Sequence, residues 1–423
     1  MKMEKRNCFT IRLSILTVFA AIISLTACWG GTSTADDAAE SEQTPGSEHM
    51  AEETSEKKSV SNEEKTKEES LEEVQIESQI EEILSSMSLE EKIYQMFIIT
   101  PEQLTGASPV TAAGELTRDG LLEYPVGGLI YFEANIASPE QIKEMLDSTQ
   151  GYANEIEGLP LFLCVDEEGG RVAKVGNNPV FSVKRVPAMQ EITSERDAYE
   201  AGAAIGDYLS QLGFNVNFAP DADVLTNSRN TVIGDRSFGS DPDAVTRLAT
   251  SFSAGLHSEN ILSTFKHFPG HGATEADTHE GFAYTDKTYE ELLGAELKPF
   301  AAAAENNVDF VMAAHISVPE VTGDNTPCSL SHKMITDILR GELGYQGLVI
   351  TDALQMGAIT QSYTPQEAAA LSIQAGVDLL LMPQDLPAAF QGIIEAVEAG
   401  GITEERIDES VRRIIRTKCK KLD

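Results

Sequence analysis

The chain has 423 residues and a formal net charge of −37, from 31 basic and 68 acidic residues. That length allows a large core and at least one full domain. The acidic excess excludes electrostatic capture of nucleic acid or anionic lipid headgroups, and any extended basic groove, but does not bear on an uncharged ligand.

The N-terminus comes first. Residues 1–12 carry Lys2, Lys5, Arg6 and Arg12, and Leu13 to Leu25 is almost wholly apolar. This run is shorter than the roughly 20 residues a membrane span needs and has the size of a signal-peptide hydrophobic region. It ends in Leu25-Thr26-Ala27-Cys28, small residues before a cysteine, which resembles the lipobox of bacterial lipoproteins. The resemblance implies a signal peptide over 1–27 and a lipid on Cys28; the alternative is ordinary secretion with a chance cysteine. A diacylated cysteine is enough to anchor a protein firmly. From Gly30 to Ser70 the chain is rich in Ser, Thr, Glu and Lys and nearly free of large aliphatic residues. Such a stretch buries too little to offset its ordering entropy. Residues 28–70 are therefore expected to be a lipidated cysteine followed by a disordered acidic tether, and 71–423 a single folded domain. The expectation is an extracytoplasmic monomer, held at the cell membrane by its lipid. The later cysteines, Cys164, Cys328 and Cys419, are widely spaced and show no CxxC, which speaks against a disulfide framework or a zinc–cysteine site.

Beyond residue 71 a rhythm sets in. Eight short apolar runs appear: Met96 to Thr100, Gly128 to Phe132, Leu161 to Asp166, Phe214 to Ala219, Leu262 to Phe268, Phe310 to His315, Gly347 to Asp352 and Val377 to Met382. Each is too short for a core helix and lies beside Gly or Pro. Helical patterns separate them, predicted over 139–154, 194–212, 242–259, 287–305, 331–341 and 365–375, with a last pair over 387–399 and 403–418. Near-continuous apolar strands alternating with helices predict an α/β fold with a buried parallel sheet. Eight such units predict a (β/α)₈ TIM-like barrel in one catalytic domain, with a doubly wound sheet plus a small accessory domain as the alternative.

A barrel puts its chemistry at the C-terminal strand ends. Asp166 ends the third run, Asp221 and Asp223 follow the fourth, Lys266 and His267 lie in the fifth, His315 ends the sixth and Asp352 the seventh. The densest cluster is Lys266-His267-Phe268-Pro269-Gly270-His271-Gly272, continuing to Asp277, Thr278 and His279. It reads as a metal site, as an acid/base loop in which Asp277 orients His279 for proton transfer, or as histidines that brace a loop. Asp352 is a candidate nucleophile toward an anomeric carbon; the bland alternative is a helix N-cap. Asp166, with Arg236 and Lys266, supplies the paired acceptors and donors that a neutral sugar requires.

These residues carry a family resemblance. The Lys-His-Phe-Pro-Gly-His-Gly motif at 266–272, Asp277 and His279 as an Asp-x-His dyad, and Asp166-Glu167-Glu168-Gly169-Gly170-Arg171 together resemble glycoside hydrolase family 3, β-N-acetylhexosaminidase branch. The resemblance covers nearly all of residues 80–420. It implies a (β/α)₈-like barrel and a retaining, exo-acting enzyme for terminal β-linked N-acetylglucosamine, needing no cofactor and no metal. It implies Asp352 as nucleophile, His279 tuned by Asp277 as acid/base, and Asp166, Lys174, Arg236, Lys266 and His267 as sugar-binding residues. At position 174 the branch often has arginine; lysine keeps the charge but loses the planar fork. The glycan is expected to be derived from cell wall or chitin. Alternatives of the same fold are an N-acetylglucosaminide phosphorylase and a β-glucosidase. A metal-dependent hydrolase using His267, His271 and His279, and a lipid-anchored solute-binding protein, are the readings from other classes.

Overall fold

The computed structural model describes residues 73–274, 277–278 and 281–422. The expected signal peptide at 1–27, Cys28, the 28–70 tether and His279 lie outside the described residues. The chain divides into two compact units, residues 7–82 and a larger one holding Ile83 onward. Of the smaller, residues 73–82 are described and are helical. No helix among the described residues is long and apolar enough to cross a membrane.

The larger unit is an α/β fold of parallel sheets with flanking helices. Its eight main strands are β1 (Phe97–Ile99), β2 (Gly128–Ile130), β3 (Phe162–Val165), β4 (Val216–Asn217), β5 (Thr264–Phe268), β6 (Phe310–Ala313), β7 (Leu348–Thr351) and β8 (Leu380–Leu381). Each lies inside one of the eight apolar runs. Every residue in them is buried, which is why β1, β2, β3, β6 and β8 are wholly apolar instead of alternating, while Asn217, Thr264, Lys266, His267 and Thr351 are polar groups inside buried strands. All pairings are parallel, in two sheets ordered β8-β1-β2-β3-β4 and β7-β6-β5. Neither ladder runs on into the other. The sheets meet through single parallel bridges, Val216 with Leu262 at one edge and Ile350 with Leu379 at the other. Between them Phe162 of β3 and Phe310 of β6 pack edge to face, ring centroids 5.3 Å apart.

The helices start where side chains can cap them. Ser138 and Thr364 form capping boxes with Gln141 and Glu367, each followed by proline in the first turn, and open Pro139–Ile156 and Pro365–Ala375. One expected helix differs. The 287–305 segment is two helices, Tyr289–Gly294 and Lys298–Glu305. Pro299 cannot donate to the carbonyl of Ala295 and would crowd it, so the chain breaks there. The break turns Glu296 inward, fully buried, onto Thr226 and Lys287. The 331–341 segment is helical but wound as a π-helix over Lys333–Glu342. The short helices Leu89–Gln95, Pro101–Thr105 and Glu115–Glu123 lack the long apolar period that makes the others legible.

The C-terminal helix Glu404–Lys421 is fastened from its polar side. Asp378, fully buried just before β8, accepts from Arg340 Nη2 (2.5 Å), Arg413 Nη1 (2.9 Å), Ser410 Oγ (2.7 Å) and the Val349 amide (2.9 Å). Burial works against its charge, and the arginines outweigh it, holding the carboxyl below its ordinary range. Asp378→Ala would leave two guanidinium groups without their shared acceptor and is expected to cost about 3 kcal/mol. Urea unfolding measures this, and a loss under about 1 kcal/mol, the worth of an exposed pair, would show that Asp378 does not fasten the helix.

Candidate functional site

The loop after β3 sets one wall. Asp166 follows the strand and Glu167–Gly169 turns back in a short antiparallel pairing with Val172–Ala173. The turn is tight. Gly170 has φ +53°, and a Cβ there would stand 2.7 Å from Ala188 Cα. Glu167 points away from Asp166 into the protein. Its carboxylate accepts from the amides of Lys174 (2.6 Å), Val175 (2.9 Å) and Gly176 (2.7 Å) and from the Tyr208 hydroxyl (2.8 Å). Asn217 pins the Glu167 backbone at both N–H (3.0 Å) and C=O (2.8 Å).

Next to Glu167 stands a chain of alternating charge. Lys266 Nζ, on β5, donates to Asp166 Oδ1 at 2.9 Å and lies 2.7 Å from Glu168 Oε1. Arg236 reaches Glu168 with two fork bonds, Nη2 to Oε1 at 2.8 Å and Nε to Oε2 at 2.9 Å. Glu168 is 1% exposed and Lys266 3%, whereas the Asp166 side chain keeps 22% of its surface open. Burial works against the Glu168 charge, and Arg236 and Lys266 outweigh it, driving its carboxyl well below the usual range. Burial likewise opposes the charge on Lys266, and Asp166 and Glu168 more than restore it.

Behind Arg236 sit Asp221, Asp223 and His267, all buried. His267 Nδ1 lies 2.7 Å from Asp223 Oδ2, and Arg236 Nη2 lies 3.4 Å from its Nε2. Nδ1 therefore carries the proton and Nε2 accepts. Burial and the nearby Arg236 press His267 down to about 4, so it is neutral. Asp223 Oδ1 also accepts the His271 amide at 2.5 Å and the His267 amide at 3.3 Å. Asp221 receives only the Asp223 amide, at 3.0 Å, and its Oδ2 stands 3.5 Å from Arg236. Burial and the Asp223 charge push Asp221 up to about 8. These three side chains offer ligand atoms within 4.8 Å of one another. A cation already fills that place, because the Arg236 guanidinium lies against Asp221 and His267, and His267 Nδ1 is engaged by Asp223. A divalent ion would have to displace both contacts.

His271 is a brace. Its Nδ1 lies 3.0 Å from Thr274 Oγ1 and its Nε2 3.3 Å from Thr278 Oγ1. Thr278, the residue between Asp277 and His279, is buried, and its carbonyl accepts the Ala358 amide at 3.0 Å. Thr278 is thus tied to His271, just past β5, on one side and to the loop after β7 on the other. Asp352 begins that loop. Its amide donates to Ala313 O at 2.9 Å, its Oδ1 accepts the Ala353 amide at 2.8 Å, and its charge acts on both His267 and His271. The next helix starts only at Gly357, capped by Met356, so Asp352 is not its N-cap. His315 steadies this loop: its Nε2–H donates to Ala353 O at 3.0 Å while Nδ1 lies 2.8 Å from Ser329 Oγ.

Of the residues expected from the sequence, Asp166, Arg236, Lys266 and His267 form one connected group, and Asp352 is electrostatically coupled to it. Lys174 joins through its backbone, which Glu167 fixes. Asp277 accepts the Gly281 amide with its carbonyl at 3.2 Å. Sequence reasoning left out Glu168 and Glu167, although both stand inside the motif beginning at Asp166, and gave no role to Asp221 or Asp223. The alternation Asp221-x-Asp223 after a strand was the available signal.

A proton on Asp221 has a consequence for stability. With its carboxyl raised to about 8 in the folded chain against an ordinary 3.8, the folded state keeps a proton that the unfolded state has lost. This contribution is complete below about pH 4 and disappears as pH rises through about 8. Asp221→Asn imitates the protonated acid, so its melting temperature is expected to fall less between pH 6 and 9 than the wild type's. Equal falls in the two proteins, measured by scanning calorimetry, would mean that Asp221 is ionised when folded.

Known proteins share this arrangement of chain. Residues 88–417 match the glycosyl hydrolase family 3 N-terminal domain. The chain is 34% identical over 321 residues to a beta-hexosaminidase A from Pseudoalteromonas piscicida, covering 70% of this chain and 54% of that protein. It is 33% identical over 311 residues to a beta-hexosaminidase from Idiomarina loihiensis, covering 72% of this chain and 90% of that one. Among solved structures it is similar to a family 3 beta-N-acetylglucosaminidase from Paenibacillus sp. str. FPU-7, with TM-score 0.74, 36% identity, and coverage of 80% of this chain and 64% of that chain. The chain therefore spans about half the length of the Pseudoalteromonas protein and less than two thirds of the Paenibacillus one. With that match running through β1 to β8 and every residue of the site described above, the chain belongs to glycosyl hydrolase family 3.

Proposed function

We propose that this protein is a retaining, exo-acting β-N-acetylglucosaminidase on a closed (β/α)₈ barrel, the two sheets joined into one ring through the Val216–Leu262 and Ile350–Leu379 bridges. The observation that carries the reading is an Asp352 at a strand end whose charge acts on His267, itself part of a donor-rich wall with Asp166, Lys266 and Arg236. Paired acceptors and donors of that kind suit sugar hydroxyls. A carboxylate beside them suits an anomeric carbon.

In this reading the Asp352 carboxylate forms a bond to C1 as the glycosidic C1–O bond breaks. His279, tuned by Asp277, delivers its proton to the departing oxygen. Water then attacks C1, gives its proton to His279, and frees Asp352 with retention of configuration. No metal or redox partner enters these steps. Tethering of Thr278 to His271 and to Ala358 supports a dyad segment held beside the Asp352 loop. The glycan is read as a non-reducing terminal N-acetylglucosamine of cell-wall or chitin type. The chain is further read as an extracytoplasmic monomer anchored by lipid on Cys28, with 1–27 removed and 28–70 as tether.

Hydrolysis of 4-nitrophenyl N-acetyl-β-glucosaminide in EDTA tests the reading. Full activity is expected; turnover lost to EDTA would favour a metal-dependent hydrolase, binding without turnover a solute-binding protein, and a rate that rises with phosphate a phosphorylase. Asp352→Ala is expected to lower kcat on the order of 10³-fold or more with the fold intact by circular dichroism. His279→Ala is expected to cost about 10²–10⁴-fold on a sugar leaving group and much less on an activated phenol. An equal loss on both would remove His279 from the proton-transfer role.

A further inference from the structure

Five residues carry the expected grip on the sugar, and one buried carboxylate outside that set holds two of them. We propose that Glu168 is a positioning residue that clamps Lys266 and Arg236 in the geometry needed to bind the sugar. This rests on the family 3 glycosidase reading above and extends it.

Backbone placement alone fixes neither cation. Lys266 is carried by β5, but its ammonium lies at the end of a flexible stem. Arg236 is carried by a short 3₁₀ turn, Gly234–Arg236, with no strand beneath it. Its other polar neighbours are distant: Val232 O at 3.4 Å from Nη1, His267 Nε2 at 3.4 Å and Asp221 Oδ2 at 3.5 Å from Nη2. Glu168 supplies the short contacts to Arg236, 2.8 and 2.9 Å, and its 2.7 Å contact to Lys266 stands beside the 2.9 Å bond from Lys266 to Asp166. A forked guanidinium–carboxylate pair fixes a plane as well as a distance. A cation with one long, loose partner would spend much of its time in other rotamers, and ordering it would then count against sugar binding.

The clamp is itself held. Its preceding residue is locked at N–H and C=O by Asn217 and at its carboxylate by three amides and Tyr208. On the far side Gly170 N–H donates to Val186 O at 3.0 Å. Both Glu168 carboxylate oxygens are taken up by Arg236 and Lys266, so it acts through the cations. It also keeps those cations from pairing fully with Asp166 or Asp221, leaving Asp166 an open edge.

Because the clamp serves ground-state grip and stands apart from the Asp352 loop, its loss should register in KM before kcat. Glu168→Gln keeps the shape and one acceptor but drops the charge. For 4-nitrophenyl N-acetyl-β-glucosaminide, KM is expected to rise about tenfold or more with kcat within about threefold, and the Kd for N-acetylglucosamine by calorimetry to weaken in parallel. Glu168→Asp keeps the charge with shorter reach and is expected to fall between; it carries the test if the glutamine variant does not fold. A purely structural role would lower Tm and active fraction with KM and Kd unchanged, and that result, in an active wild type, overturns the clamp alone. A wild type that neither turns over the substrate nor binds the sugar overturns the glycosidase reading and the clamp together.

Discussion

A carboxylate buried beside two cations is the contact on which this site depends. Glu168 lies where the loop after β3, the 3₁₀ turn at Arg236 and the end of β5 converge, three elements that share no continuous ladder. Lining the end of a parallel sheet with charge is costly unless each charge is answered within hydrogen-bond distance. Here the answer is alternation: Asp166, Lys266, Glu168 and Arg236 run acid, base, acid, base, and the series ends against a neutral His267 and an Asp221 that holds its proton. The inner members neutralise one another, so the outer edge at Asp166 stays open without drawing in a strong field. This is how a chain with a net charge of −37 can present an acceptor-and-donor wall to an uncharged ring.

The two polar pairs after β4 and β5 show why type and spacing reveal only part of a site. Asp223 and His267 are 44 positions apart in sequence, yet a 2.7 Å contact makes them a unit. That contact decides the tautomer of His267 and sets its Nε2 as an acceptor toward Arg236. Asp221, two residues earlier, has the same side chain and is likewise pushed up by burial, but the His267 and His271 amides that oppose this both point to Asp223. No pattern in the sequence distinguishes the two aspartates; the route of the backbone between 266 and 271 does.

Legibility followed the same division. The eight strands could be read because both faces of each are buried, which leaves short runs dominated by apolar residues in the chain. Helices with a capping serine or threonine and an early proline could be read at their start to within a residue. The 287–305 segment could not, since its apolar period continues through Pro299 while the backbone does not. In the site, residues that project from strand ends, Asp166, Lys266, His267 and Asp352, were visible because polarity there contradicts burial. Glu167 and Glu168 were hidden by looking alike: adjacent glutamates that point in opposite directions, one folding its own loop and one ordering its neighbours.

That opposition bears on how the two halves of such a site are built. Glu167 gathers the amides of 174–176 and so fixes the backbone of Lys174; Glu168 gathers side-chain cations. Both are set by one turn that Asn217 of β4 pins from below, so the wall of Asp166, Lys266 and Arg236 is ordered by the sheet itself. The opposite wall is assembled differently. Among the described residues, Thr278 hangs between His271 and the Ala358 amide, and the Asp352 loop leans on His315 through the Ala353 carbonyl. This side is therefore assembled from the loops after β5, β6 and β7, whereas the Asp166 side is set by one turn after β3. The two halves depend on different parts of the chain: a single turn pinned by its neighbouring strand orders the first, and the spacing of three successive strand ends orders the second.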